Sequence, residues 1–600
     1  MSVLRERRDR RRVVAPSPQL VPTSLWWLQP LALSFALVAL GCTSEDPSIS
    51  NGGSIHHAGD VVLVASPDDD TLVLVDATTL AERSRLEIEG APTKLAAVGD
   101  AFVVGLAGRA AVAWVRGADV RYVEVPCGGT GAAIALSDDE ALVACPHDDR
   151  LVRLRDGVFV EHVEAVGRPT ALTRLGDRVY VGLSRRGVIE VRDASTLQVM
   201  RTQALETAPG FAAVQLDALV ADGEGVVASY QRVDVDSDRS RDPSTGGYGS
   251  VTSGAPRLEP RLLAACGGRY ARFDGTERVA SGPSALAFDR GRRRLWVAHR
   301  QTGNVVLVAC GGEGLSTPND GEARVIASAF VGRGLEGLAL DGEGGVFVDV
   351  AFDHAVAHVR EEGAALVVEG PRTRTLGPTR WSPDGLRGRA LFHDARDTQL
   401  TPSGVVTCAS CHPGGGEDGL AWFLHTATVG PKLRRTPPAW AARPELAPYH
   451  WDGELESARE LTLGTIRALL EGDGLLVDLD ALVAYMEEVP APPARPADDP
   501  AAAARGATTF EARCASCHPG GGSDGAAHAI VPASDDPAAT LAAAQTPTLE
   551  AVRARPPYLH DGRAPTLRDV LTRADPEGRH GAADLDDAAL NDLISYLETL

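Results

Sequence analysis

Two pentapeptides hold the residues best suited to chemistry: Cys408-Ala409-Ser410-Cys411-His412 and Cys514-Ala515-Ser516-Cys517-His518. Cysteines three apart lie on one helical turn, where each thiol can form a thioether with a haem vinyl group. The histidine that follows can then turn its imidazole to the iron as proximal ligand. Paired CxxC units also bind zinc, through four cysteines or through two cysteines and two histidines. Here the pairs are 106 residues apart, and each has its own histidine and its own surrounding repeat. That favours two independent attachment units over one zinc site. The expected cofactors are two covalently bound c-type haems, held by Cys408, Cys411, Cys514 and Cys517 with His412 and His518 on the irons.

These motifs must be positioned by helices. Each sits in a longer repeat: Gly388-Arg389-Ala390-Leu391-Phe392, CASCH, Pro413 to Gly416, Thr436-Pro437, Tyr449-His450-Trp451-Asp452-Gly453 and Leu482 to Met486 in the first copy. The second copy runs Gly506 to Phe510, CASCH, Pro519 to Gly522, Thr546-Pro547, Tyr558-Leu559-His560-Asp561-Gly562 and Leu593 to Leu597. Apolar residues three and four apart before each CASCH and at the end of each copy predict N- and C-terminal helices that cross in a small haem-binding lobe. The lobes span 381–489 and 500–600, joined by a stiff Pro-rich linker at 490–499.

With these residues in view, Leu391-Phe392-His393-Asp394 through CASCH, Trp451-Asp452-Gly453, Thr546-Pro547-Thr548-Leu549 and Pro557 to Gly562 resemble the bacterial di-haem cytochrome c peroxidases, including the MauG-type enzymes. The resemblance spans about 220 residues in the family's motif order. It implies a first haem where peroxide reacts, a second that accepts electrons and a relay tryptophan between them, here Trp451; the alternative for Trp451 is a core residue. It also implies a displaceable distal histidine on the first iron, for which His425 is the candidate and His450 the rival. For the second iron the family supplies Met or Tyr where this chain has Ala574, which cannot ligate. Met486, in the first copy's terminal helix, is better explained by packing, so His580 becomes the candidate. Histidine on both sides of that iron predicts a low reduction potential. Peroxide cleavage also wants a distal acid/base group, and the position implied after the WDG motif is Glu471. Arg435 and Arg555 fall at positions of the family's interdomain calcium site, which argues against calcium.

From residue 56 to about 375 the pattern changes to short apolar strands with turns between them, as in Val61 to Ala65 followed by Thr71 to Asp76. Similar starts recur at Pro92, Gly131, Pro169, Pro209, Pro283 and Gly334, at first intervals of 39, 38 and 40 residues. A period near 40 with several strands per repeat is the signature of a β-propeller, of about seven blades here. Arg178 to Leu183 and Arg294 to Ala298 resemble the YVTN-type propellers. Residues 234–257 read as a solvated inserted loop; their acids lack the glycine and distal glutamate of an EF-hand calcium loop. Cys127, Cys145, Cys266 and Cys310 suit two disulfides, with three pairings open, or buried thiols. The expected fold is thus multidomain: an all-β propeller followed by an all-α di-haem module of two lobes. A propeller alone names no reaction.

Six arginines before residue 13 and the apolar run Leu31 to Leu40 ending at Gly41-Cys42 read as an export signal over 1–41, with 42–55 as a linker. A lipoprotein-type site would make Cys42 the lipidated N-terminus; a cleaved secretory signal or an uncleaved anchor are the alternatives. Each places residues 43–600 outside the cytoplasm, where disulfides form, and the first predicts a periplasmic, lipid-anchored protein of a Gram-negative bacterium. The chain has 600 residues, 44% of them apolar, and a net charge of −22, with Lys94 and Lys432 its only lysines. That charge excludes a nucleic-acid partner and favours cationic ones or plain solubility. The expected activity is reduction of hydrogen peroxide, or a MauG-like oxidation, with electrons from a small periplasmic cytochrome or cupredoxin. The alternatives are a non-enzymatic electron-transfer protein with the propeller as docking module, and a substrate dehydrogenase whose site would have to lie in the propeller.

Overall fold

The computed structural model describes residues 49–205, 211–223, 225–235, 257–263, 271–272, 280–310, 323–424, 431–530 and 534–600. The expected signal segment, Cys42, residues 236–256 of the inserted loop, Cys266 and His425 lie outside the described residues. The chain divides into Met1–Ala36 and Leu37–Leu600, and every described residue belongs to the second unit.

Up to Thr373 the described strands follow one another as antiparallel sheets, six of four strands and one of five. Their first strands, Ile55–Ala58, Pro92–Val98, Ala133–Ala135, Pro169–Leu175, Phe211–Ala221, Pro283–Asp289 and Leu335–Leu340, pack on one another in that order, and the last returns to the first. This is a propeller ring. Its residue types explain the layering. Middle strands such as Ala101–Leu106 and Ala111–Arg116 are apolar and buried on both faces, whereas the outer strand Asp119–Glu124 alternates polar residues to solvent. The fifth strand is Ile49–Asn51, which pairs with Pro169–Leu175. Residues 49–51 of the expected 42–55 linker are therefore part of the propeller. Cys127 and Cys145 form a disulfide, and Cys310 is also disulfide-bonded.

After the last propeller strand, Ala365–Thr373, the chain becomes mainly helical: α1 (Pro383–Phe392), α2 (Cys408–Cys411), α3 (Ala458–Ala468), α4 (Leu479–Glu488), α5 (Pro500–Arg513), α6 (Leu567–Leu571) and α7 (Asp587–Leu597). It is not all-α as expected, because Ala421–Leu424 pairs with Lys432–Arg435 and Ala527–His528 with Ala544–Gln545 in short antiparallel ladders. Caps fix where most of them start: Ser382, Ser457, Asp478, Asp499, Thr566 and Asp586 each accept a backbone N–H of the first turn. As expected, α1 crosses α4 and α5 crosses α7. Both crossings are made at a glycine. A Cβ at Gly388 would lie 1.8 Å from the carbonyl oxygen of Ala481, and one at Gly506 would lie 1.9 Å from that of Asp592.

The helical copies have different attachments. The first shares its core with the propeller: Val214 and Val233 lie in one apolar cluster with Phe392, Val406, Ala409 and Tyr485. The second has a core of its own around Phe510, Leu590 and Leu593. Ion pairs tie it and the linker to the propeller, Arg553 to Asp148 at 2.6 Å and Arg495 to the same carboxylate at 3.8 Å.

Candidate functional site

The two CASCH segments end alike. His412 and His518 have nearly the same backbone angles (φ −118°, ψ 60° and φ −116°, ψ 62°), and each is followed by a Pro-Gly-Gly turn with a left-handed glycine, Gly414 or Gly520. In each, Nδ1 lies 3.2 Å from a carbonyl oxygen four residues on, Gly416 or Gly522. Donation by Nδ1 fixes the tautomer and leaves the lone pair on Nε2, the form that ligates iron. Burial holds the His412 imidazole at about 4 and also lowers His518, so both rings are neutral at neutral pH. All four attachment cysteines are unpaired. Cys408 and Cys411 pack on the first core and Cys514 on the second, so the pairs do not converge on one metal.

A cavity of about 630 Å³ opens beside the first motif, lined by Cys408, Cys411, His412, Phe392, Leu461 and Trp451 among mainly apolar groups. Its volume, its apolar lining and the thiol–thiol–imidazole set suit a covalently held haem. Lys432, Arg434 and Arg467 add cationic groups that could meet its carboxylates.

Trp451 lies where the two helical copies meet. Its Nε1 donates to Arg435 O at 2.8 Å, and Gln545 N of the second copy donates to Trp451 O at 2.8 Å. Laying Tyr-His-Trp-Asp-Gly on Tyr-Leu-His-Asp-Gly pairs Trp451 with His560, and these two rings meet edge to face at 6.4 Å. Sequence reading quoted both motifs without assigning a role to His560; matching the two copies position by position is the signal that finds it.

A second feature between the two copies is buried and charged. Arg435 donates to a carboxylate oxygen of Glu417 and, at 2.6 Å, to Arg555 O; Arg555 donates to Thr548 O at 2.7 Å, with its Nε 3.7 Å from Glu417. Two guanidiniums on one carboxylate are a donor-rich set, the opposite of the six or more oxygens calcium takes. Nearby, burial raises Asp418 to about 7, and its carboxylate accepts from Trp422 Nε1 at 2.9 Å. Sequence reading did not single out Glu417 or Asp418.

The other expected site residues are placed as follows. His425 lies outside the described residues. His450 lines the cavity but is paired to Glu454 at 3.1 Å. His580 is close enough to His518 to depress its basicity, and its own ring faces Asp575 at 3.8 Å. Met486 is buried in α4 and also lines the cavity. Glu471 departs from its expected role: α3 ends at Ala468, the backbone turns left-handed at Glu471 (φ 61°), and the residue is exposed and does not line the cavity, which Leu469 and Leu470 reach instead.

A propeller followed by a c-type cytochrome region defines the class of protein. Residues 503–600 match the Cytochrome c family. The chain is also similar to the methylamine utilization protein MauG of Methylorubrum extorquens, 29% identical over 282 residues, a match taking 36% of this chain and 76% of that protein. These two matches support a c-type cytochrome of the peroxidase/MauG kind, with covalently bound haem, in the region that carries the CASCH motifs. Among solved structures, a chain of Kuenenia stuttgartiensis hydrazine synthase covers 54% of this chain and 98% of its own at 15% identity and a TM-score of 0.42. A streptogramin B lyase covers 54% and 95% at 11% identity and a TM-score of 0.37. At these scores neither carries a functional argument.

Proposed function

We propose that the chain is an exported di-haem cytochrome that reduces hydrogen peroxide or carries out a MauG-like oxidation, with electrons passing between two haems. The observation that carries this reading is the doubled site: two CASCH segments of the same local geometry, joined by the Trp451–His560 contact. Bound haem supplies one-electron and peroxide chemistry. The chain's own residues attach it (Cys408, Cys411, Cys514, Cys517), ligate it (His412, His518), exclude water around the first site and offer an aromatic path between the lobes. His425 would be the displaceable distal ligand of the first iron and His580 the distal ligand of the second. We read each propeller sheet as a blade, seven in all, and the helical copies as two haem lobes. Residues 1–41 would direct export and Cys42 would anchor the chain by lipid to the membrane of a Gram-negative periplasm. A small cytochrome or cupredoxin would donate electrons, and its positive face would meet the acidic surface.

One observation favours a purely electron-transferring role instead: Glu471, the expected acid for peroxide cleavage, stands off the cavity, and the described carboxylates that line it, Asp452 and Glu454, are both paired to Lys432. Peroxide added to the half-reduced protein separates the two. Sustained oxidation of a reduced cytochrome supports the enzyme; irons that stay six-coordinate and never react with peroxide support the carrier.

A further inference from the structure

The two attachment pentapeptides are identical in sequence and differ in surroundings. Ala409 and Ser410 are 3% and 1% exposed, covered by the propeller. In the second copy Ser516 is exposed, and among the described residues no side chain donates to the carbonyl of Ala515 or Ser516. Over the first copy stands Gln215, on the bulge between Val214 and Ala218 of propeller strand Phe211–Ala221. It is buried, with a left-handed backbone (φ 53°) that a non-glycine residue adopts only at a cost. Its Nε2 donates to Ala409 O at 2.9 Å and to Ser410 O at 3.0 Å. The amide is held this way round by the two carbonyls, against which its oxygen would clash, and by Gln231 Nε2, which donates to Gln215 Oε1. A second propeller contact holds the approach to the motif: Ser281 Oγ donates to Val405 O at 2.6 Å, and Gln301 O accepts Ala395 N–H at 2.9 Å.

We propose that the propeller is an internal clamp on the first haem-attachment segment, and that Gln215, oriented by Gln231, is a positioning residue that raises the reduction potential of the haem held there, a contribution that the identical second pentapeptide lacks. The inference rests on the reading that Cys408 and Cys411 carry a haem. The carbonyls of Ala409 and Ser410 belong to the C-terminal end of a helical turn, where carbonyls lack helical partners and partial negative charge collects beside His412. Two amide hydrogens offset that charge at the first site. Among the described residues the second site has no such donors, so its environment stays more negative and favours ferric iron. The propeller face that grips the cytochrome region is thereby occupied by its own chain and not open to an outside ligand.

The test is spectroelectrochemical titration of the full-length holoprotein and of Q215L. Removing the donors should shift the first haem's potential to more negative values and leave the second unchanged, with the haem content of the parent retained. Q215E keeps the length of the side chain but donates only when protonated, so its first-haem potential should acquire a pH dependence that the parent lacks, a response that loss of packing alone would not give. Q231L, which removes one restraint on the Gln215 amide, should shift the first potential in the same direction as Q215L and serves if Q215L does not fold. Two bound haems whose potentials stay unmoved in all three variants, or move together, overturn the clamp and leave the proposed function standing. A parent chain with no haem at Cys408 and Cys411 overturns both.

Discussion

Trp451 is where residue-level chemistry decides between a single-site and a coupled protein. Its ring bridges the first cavity and His560, and its N–H is fixed by Arg435 O. Trp451→Ala should lower peroxide turnover with a reduced cytochrome donor by about tenfold or more, a barrier change of roughly 1.4 kcal/mol, with haem content unchanged; Trp451→Phe, which keeps a ring against His560, should fall less. Equal turnover in all three proteins would remove Trp451 from the path. A second residue-level prediction concerns stability. Asp349 accepts from Ser54 Oγ at 2.7 Å and faces Arg374 Nη2 at 3.3 Å, yet burial pushes its carboxyl from 3.8 up to about 6. The folded state holds this proton to higher pH than the unfolded chain, so the stabilisation is complete below the unfolded value and lost as pH rises through the folded one. The parent's urea midpoint should therefore fall between pH 4 and pH 7 by more than that of Asp349→Asn, which has no carboxyl to ionise there. Parallel pH profiles would contradict that account.

At the scale of elements, the two helix crossings are the most specific packing in the cytochrome region. Ala481 O and Asp592 O occupy the space a side chain would need at Gly388 and Gly506. Gly388→Ala or Gly506→Ala forces a helix pair apart, and overpacking of this kind costs about 1–3 kcal/mol. Thermal melts of holoprotein should show a lowered midpoint for each, and an unchanged midpoint would mean the crossing is slack. These helices were legible in the sequence because their apolar spacing repeats around each CASCH, and the propeller was legible because its turns recur near every 40 residues. Gln215 was not, since a glutamine on a bulged strand says nothing of carbonyls 194 residues away. Nor was the strand Ile49–Asn51, three residues with no repeat to mark them, which joins the sheet of Pro169–Leu175. Spacing after Trp451 suggested Glu471 as the acid, but the left-handed turn that follows α3 points the chain elsewhere, and spacing cannot register a turn. The Arg435–Glu417–Arg555 cluster was half visible: the arginines stood out, while their shared carboxylate, 18 and 138 residues away in sequence, did not.

At the scale of the whole molecule, the propeller and the first helical copy are one folding unit, since Val214 and Val233 complete the core that surrounds Phe392 and Ala409. The second copy has a core around Phe510 and Leu593, lends Ala551 and Ala554 to the first, and pairs Arg553 with Asp148 of the propeller, so the two CASCH segments stand on unequal foundations. All of this has functional meaning only if both CASCH segments carry haem. The direct measurement is the mass of the full-length chain under denaturing conditions, together with that of Cys408→Ala/Cys411→Ala and Cys514→Ala/Cys517→Ala. The account predicts a parent mass raised by two covalently bound haems and the loss of one haem in each double variant. A parent that carries one haem or none, or a double variant that loses none, would contradict it.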